Sequence, residues 1–267
     1  MKKLLLLLVC FGLLVSCEDV IDVDLNESPP RLVIDASLNV LEDGSASAIV
    51  KLSTTTGYFD NVIPSVDDAQ VTVIAEDGTP FPFTFTTNGI YTSDLIPQPE
   101  TDYTLEVIYQ GDTYSATQRL ISSVPFDFVD QKDDGGFSGE DIELKIYFTD
   151  PAGIDNYYFI EVLSEQNDDD RDTTSDEFFD GNQIFAFYTN EDIESGDDFL
   201  FKQYGVDKQF YNFMLVLLQQ GSDQGGGPFQ TQPATVRGNI VNQDDPDNFP
   251  LGYFRISEEY SLEYTVQ

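Results

Sequence analysis

From residue 31 onward, apolar and polar positions alternate in short runs broken by turn residues. Such runs fall at 31–37, 46–52 and 69–76, where Val71 and Val73 alternate with Thr72 and Ile74. Phe81, Phe83 and Phe85 sit at strict period two, which predicts three rings on one sheet face. Asp77-Gly78 and Asn88-Gly89 are turn signals, the second of the hairpin kind that needs positive φ at both residues. Further strands are predicted at 101–107 and 114–121, with Gln110-Gly111 turning between them. Strands at this spacing point to a β-sandwich over residues 31–122. Tyr103, Leu105 and Val107, followed by Gly111 and Tyr114, look like the closing hairpin of an immunoglobulin-like or carboxypeptidase-regulatory-like domain, with Tyr103 in a tyrosine-corner role.

A second β domain is expected over 123–267, with strands at 141–148, 156–163, 183–188, 234–241, 251–256 and 259–266. Residues 166–176 read as a polar, acidic loop. One segment breaks the alternation. Phe210, Tyr211, Phe213, Met214, Leu217 and Leu218 follow the spacing of an amphipathic helix, predicted over 207–220 with Asp207 as N-cap and Gly221 just past its end. The fold class is therefore all-β, two sandwich-like domains, the second carrying one helix.

The first residues have a different pattern. Lys2 and Lys3 precede a nearly unbroken apolar run over 4–15. That is the plan of a secretory signal, too short to span a bilayer, which takes about 20 residues. Leu14-Val15-Ser16-Cys17 looks like a bacterial lipobox. The expectation is cleavage after residue 16, diacylglycerol on the Cys17 thiol and a tether over 17–30. A lipoprotein cysteine carries two or three acyl chains, and each buried CH₂ contributes roughly 0.8 kcal/mol, so the membrane is the first expected partner.

Composition narrows the chemistry. The formal net charge is −37, and loss of residues 1–16 removes two more positive charges. Such a surface repels nucleic acid, whose binding depends on Lys and Arg at the phosphates. Histidine is absent, which removes imidazole-based triads and most zinc sites. Cys10 leaves with the signal and Cys17 is consumed by lipid, so no thiol nucleophile and no disulfide are expected. No phosphate-cradling glycine loop appears. These exclusions predict a protein that is not an enzyme, has no cofactor and no catalytic residue.

Acidic segments at 133–136, 167–172 and 244–248 lack the alternating oxygen spacing of a calcium loop. They read as solvated surface, with weak calcium association as the functional alternative. Tyr157, Tyr158 and Tyr188 are the candidates for stacking on a sugar in a chain without tryptophan, although tyrosines at strand spacing are more often core.

Cys17 to Leu25, with Leu32-Val33-Ile34, resembles the start of an uncharacterised lipoprotein family of Bacteroidota, domain of unknown function 4249. So do Asp176-Glu177-Phe178-Phe179-Asp180-Gly181, the helix containing Tyr211, and the ending Pro228-Phe229, Gly238-Asn239-Ile240 and Leu251-Gly252-Tyr253-Phe254. The resemblance covers nearly the whole mature chain. The family's usual glycine-rich run is replaced here by Asn242-Gln243-Asp244-Asp245-Pro246-Asp247-Asn248. The resemblance implies a companion of TonB-dependent outer-membrane transporters and assigns no reaction. The acidic Glu18, Asp19, Asp22 and Asp24 resemble a surface-export signal of the same group. The expected function is a non-catalytic accessory of TonB-dependent nutrient uptake, lipid-anchored at the outer membrane and cell-surface exposed. A free-standing glycan-binding or adhesive lipoprotein is the alternative, and no ligand-binding residue is assigned.

Overall fold

The computed structural model describes residues 29–57, 60, 62–136, 138–221 and 235–267. Seven strands come first: β1 (Leu32–Leu41), β2 (Ala46–Thr54), β3 (Gln70–Ala75), β4 (Pro80–Thr87), β5 (Ile90–Ser93), β6 (Asp102–Tyr109) and β7 (Asp112–Arg119). Then follow β8 (Phe126–Gly135), β9 (Asp141–Thr149), β10 (Tyr157–Ser164), β11 (Asp170–Ser175), β12 (Gln183–Thr189) and β13 (Asp198–Val206). Helix α1 (Lys208–Gly221), β14 (Val241–Asn242) and β15 (Leu251–Thr265) end the chain. Among the described residues the protein is all-β with one helix, built as two sandwiches.

The strands form one long ladder, β11-β10-β13-β15-β1-β2-β5-β4-β3-β6-β7-β14, and a small sheet, β12-β9-β8. The long ladder folds over on itself at β4, whose first half pairs with β3 and whose second half pairs with β5. The switch falls between Phe83 and Thr84, and an irregularity follows it between Phe85 and Thr87, a device by which strands change sheets. Phe81 and Phe83 sit opposite the core residues Val73 and Val71 of β3, and Phe85, past the switch, sits opposite the core residue Tyr91 of β5, where it is 40 % exposed. Between the two layers lies the first core, with Ile34, Leu38, Val50 and Leu52 facing Val73, Leu105 and Val107. Asn88 and Gly89 both take positive φ, as the hairpin requires. The Tyr103 hydroxyl accepts the Gln98 N–H at 2.9 Å, as a tyrosine corner would.

The second core lies between β9 and β12 on one side and β10 and β13 on the other, with Leu144, Ile146, Phe148, Tyr158, Ile160 and Phe201 at its centre. The alternate residues of β10 and β13, Phe159, Tyr204 and Val206, face away from it and are covered by α1. Burial on both faces explains why β10 reads as apolar at every position from Tyr157 to Leu163 except Glu161. Tyr158 and Tyr188, two of the sugar-stacking candidates, are thereby sealed into the core at 0 % and 5 % exposure.

Some segments differ from expectation. Within the supposed loop 166–176, Asp170–Ser175 forms β11, paired along β10 with Arg171 reaching Glu161 at 3.1 Å. The strand expected over 234–241 shrinks to the two residues of β14. In its place the Asn239 side chain holds both backbone groups of Phe254, donating to its carbonyl at 2.8 Å and accepting its N–H at 2.9 Å.

The chain passes residues 122 and 123 between β7 and β8, and its last segment then returns to the first sandwich. β14 pairs with Tyr114 and Ser115 of β7. β15 runs parallel to β1 from Leu251 to Glu259, and antiparallel to β13 from Glu259 to Thr265. Its residues Phe254 and Ile256 lie in the first core, and Leu262 and Tyr264 pack on the second. One strand thus belongs to both sandwiches. The close approach of β1 demands a glycine in it: Gly252 sits at φ +95°, where a Cβ would clash with the Ile34 carbonyl.

Candidate binding groove

The groove begins with the cap of α1. The Asp207 carboxylate accepts the Phe210 N–H at 2.6 Å, fixing the first turn. The same group takes the Tyr253 hydroxyl at 3.2 Å and the Gln118 amide at 3.0 Å, which ties the helix start to β15 and β7. Burial and then the nearby Asp207 charge push the Tyr253 hydroxyl well above its ordinary range. From this point α1 runs over the outer face of β10, β13 and β15. Phe210 and Met214 are buried there, Phe213 and Leu218 pack at the side, and Leu217 is exposed at the lip.

Between α1 and the outer face of β1 lies a groove of about 1020 Å³. Its floor is aromatic: Phe159 stacks on Tyr204 at 5.7 Å, Phe210 meets Phe159 edge-on at 5.5 Å, and Tyr253 meets Phe210 edge-on at 5.0 Å. Arg255 lies among these rings, its guanidinium 4.2 Å from the centre of Tyr204 and 5.9 Å from Phe159 and from Phe210.

The charges around Arg255 are largely spoken for. Glu161 accepts the Tyr204 hydroxyl at 2.9 Å and pairs with Arg171, while Glu259 takes Lys202 at 2.8 Å and the Asn39 amide at 3.0 Å. Burial, then Glu161, hold the Tyr204 hydroxyl far above its usual range, with Arg255 pulling the other way. Arg255 itself donates to the neutral Asn39 carbonyl oxygen at 2.7 Å. Among the described residues it makes no ion pair. Asp35, Glu161, Asp169, Asp170 and Arg171 also line the groove, so a guanidinium held by stacking and one neutral acceptor at its aromatic floor suits one anionic group on an apolar or aromatic body that keeps clear of these carboxylates. A second crevice, about 790 Å³ at the ends of β10, β13 and β15, is lined by Glu165, Asp198 and Glu263 and by no cation.

Asp150, Asp176 and Asp180 form the one carboxylate group among the described residues that converges closely enough to hold a cation, their oxygens within 4.8 Å of one another. Asp150 and Asp176 are buried. Asp150 accepts the Tyr158 hydroxyl at 2.6 Å and the Gly181 N–H at 3.1 Å, and Asp176 accepts the Asn156 N–H at 2.8 Å. These bonds brace the turn after β9 against the turn before β12. Segments 133–136, 167–172 and 244–248 contribute nothing to this convergence. Tyr157, the remaining sugar candidate, packs at 5.2 Å against Tyr211 of α1. Cys17, with the expected signal and most of the expected tether, lies outside the described residues.

The sequence matches the family described as "Domain of unknown function (DUF4249)" over residues 18–263. The chain belongs to this family. Membership spans both sandwiches and the groove between α1 and β1, and the family's description names no activity. No curated protein matches the chain. Three solved structures are similar to it in part. A cytokine receptor complex is 14 % identical, covers 64 % of this chain and 83 % of its own, with a TM-score of 0.24. A two-domain fibronectin type-III segment of chicken tenascin is 10 % identical, at 66 % and 90 % coverage, with a TM-score of 0.21. The chicken interferon gamma receptor alpha chain is 10 % identical, at 66 % and 88 % coverage, with a TM-score of 0.19. Likeness at these scores carries no weight for function, and the sandwich fold rests on the strand pairing itself.

Proposed function

We propose that this protein is a non-catalytic binding component of the outer membrane, anchored through lipid on Cys17 and displayed at the cell surface, that serves a TonB-dependent transporter. In this reading it holds an amphipathic anionic nutrient in the groove beneath α1. The observation that carries the binding role is Arg255, set among Phe159, Tyr204 and Phe210 without a carboxylate partner. The anchor and the transporter rest on the lipobox-like sequence and on what the resemblance to the family implies. No helix among the described residues is long and apolar enough to cross a membrane, so in this reading the folded part attaches through the lipid.

Three measurements test the parts separately. Metabolic labelling with palmitate should mark the wild type and leave Cys17→Ala unlabelled and released from membranes. Purification from native membranes should bring down an outer-membrane transporter, and recovery without one overturns that part. In a thermal-shift panel, carboxylates with an aromatic or alkyl body should stabilise the protein, while the matching amines should not. Arg255→Leu should weaken the response by about tenfold or more, the cost of a lost charge-assisted bond. Binding of neutral oligosaccharides that ignores Arg255→Leu would instead favour a glycan-binding lipoprotein.

A further inference from the structure

Among the described residues, four strands form sheet edges: β11 and β14 in the long ladder, β8 and β12 in the small sheet. An edge offers unpaired N–H and C=O groups to any other strand, and folded proteins guard edges by charge, bulges, shortness or a cover. Three of the four are guarded. β11 carries Asp170, Arg171 and Asp172 and has α1 packed on it. β14 is two residues long. β8 is irregular between Phe126 and Phe128 and again between Lys132 and Gly135, and it carries Asp127, Asp130, Lys132, Asp133 and Asp134.

Among the described residues, β12 lacks charge, bulge and shortness as guards. It reads Gln-Ile-Phe-Ala-Phe-Tyr-Thr, with no charge, proline or glycine, and keeps unbroken register on β9 over all seven residues. Of its outward side chains, Phe185 is 47 % exposed. Phe185 also ends a cross-strand row of rings, 5.3 Å from Tyr147, which stacks at 4.7 Å on Phe128. The row leaves apolar surface open beside an open edge.

We infer that β12 is a docking edge, which takes up an extended segment of a partner protein by strand addition. The segment would be apolar at alternate positions and flanked by lysine or arginine. Strand addition combines main-chain bonds with side-chain contacts at every second residue. The charge of the flanks follows from the acids at both ends of β12, Glu177 and Asp180 before it and Glu191, Asp192 and Glu194 after it. A second copy laid antiparallel on β12 would set acid against acid, on top of the −37 of each chain, so the occupant is a different molecule. This inference deepens the accessory reading by naming the face that meets the partner, and it rests on that reading only for the partner's identity. The groove lies on the other layer of the sandwich.

The test uses the full chain and a synthetic peptide of eight alternating valines and threonines with two lysines at each end. Hydrogen exchange should show new protection at 183–189 and none in β8. Methylating alternate peptide nitrogens should abolish protection, and replacing the lysines by glutamates should weaken binding by about tenfold. Phe185→Lys should weaken it similarly with an unchanged fold by circular dichroism, whereas Asp133→Ala on the β8 edge should not. Equal binding of the methylated peptide, protection elsewhere or nowhere, or a dimer in sedimentation that Phe185→Lys dissolves would each overturn the proposal. A photoreactive residue at Gln183 then reports on the partner in cells. Peptide binding without a transporter cross-link keeps the docking edge and removes the accessory reading. The reverse result removes strand addition and keeps the accessory role.

Discussion

Single side chains carry more of this protein's electrostatics than its acidity suggests. Burial, then Asp112, push the Tyr114 hydroxyl up to about 12, and burial together with Asp150 raises Tyr158 further in the same direction. Below pH 10 the folded and unfolded chains both keep these protons. Above it the unfolded chain releases them first, so stability falls as the pH climbs from 10 toward 12. Absorbance at 295 nm during alkaline titration checks this, because the chain has no tryptophan to obscure tyrosinate. A late, cooperative rise in the native protein is expected, against a simple titration near pH 10 in urea. Asp207 is a second such residue. Asp207→Ala removes the cap and strands the Tyr253 hydroxyl and the Gln118 amide, so a loss of about 2 kcal/mol is expected in urea unfolding. Arg255 shows why the groove escaped sequence reading. An arginine in a charged strand leaves no local pattern, and its setting comes from Asn39, Tyr204 and Phe210, far apart in the chain.

The elements divide by how local their causes are. Helix α1 was legible because its spacing, Asp207 and Gly221 lie within one segment, and the structure ends it one residue later than predicted. β9, β10 and β12 were legible from their apolar residues. β8 and β13 are not evident in the sequence: β8 is polar from Asp130 to Asp134, and β13 spends one face under α1. β11 reads as loop in the sequence because its stability comes from β10, not from its own composition. The replacement of a strand by Asn239 was equally invisible, since one carboxamide acts where a ladder was expected. Asn239→Leu should leave the Phe254 N–H and carbonyl without partners and cost about 2 kcal/mol in urea unfolding, with the helix signal retained. Nothing in the sequence says that Asp150 and Asp176 meet.

At the scale of the whole molecule, β15 decides the behaviour. The two cores have separate residues but share this strand, so they are expected to melt together. Calorimetry should give one transition with equal calorimetric and van't Hoff enthalpies, and two resolved transitions would contradict this. Gly252→Ala should destabilise both sandwiches at once, by roughly 3 kcal/mol, because the new methyl meets the Ile34 carbonyl in a left-handed backbone. Parallel pairing of β1 with β15 links residues more than two hundred positions apart, and no periodicity in either segment announces it. It also sets how the molecule carries tension. A pull on the chain entering β1 at Leu32, resisted by a load on the second sandwich where β15 ends, drags the two strands past each other along their length. The hydrogen bonds from Val33 to Leu41 then strain side by side and must give way together, as the lap of a spliced rope does, and do not peel one at a time. A load between Leu32 and the second sandwich is therefore borne by the whole β1–β15 ladder at once.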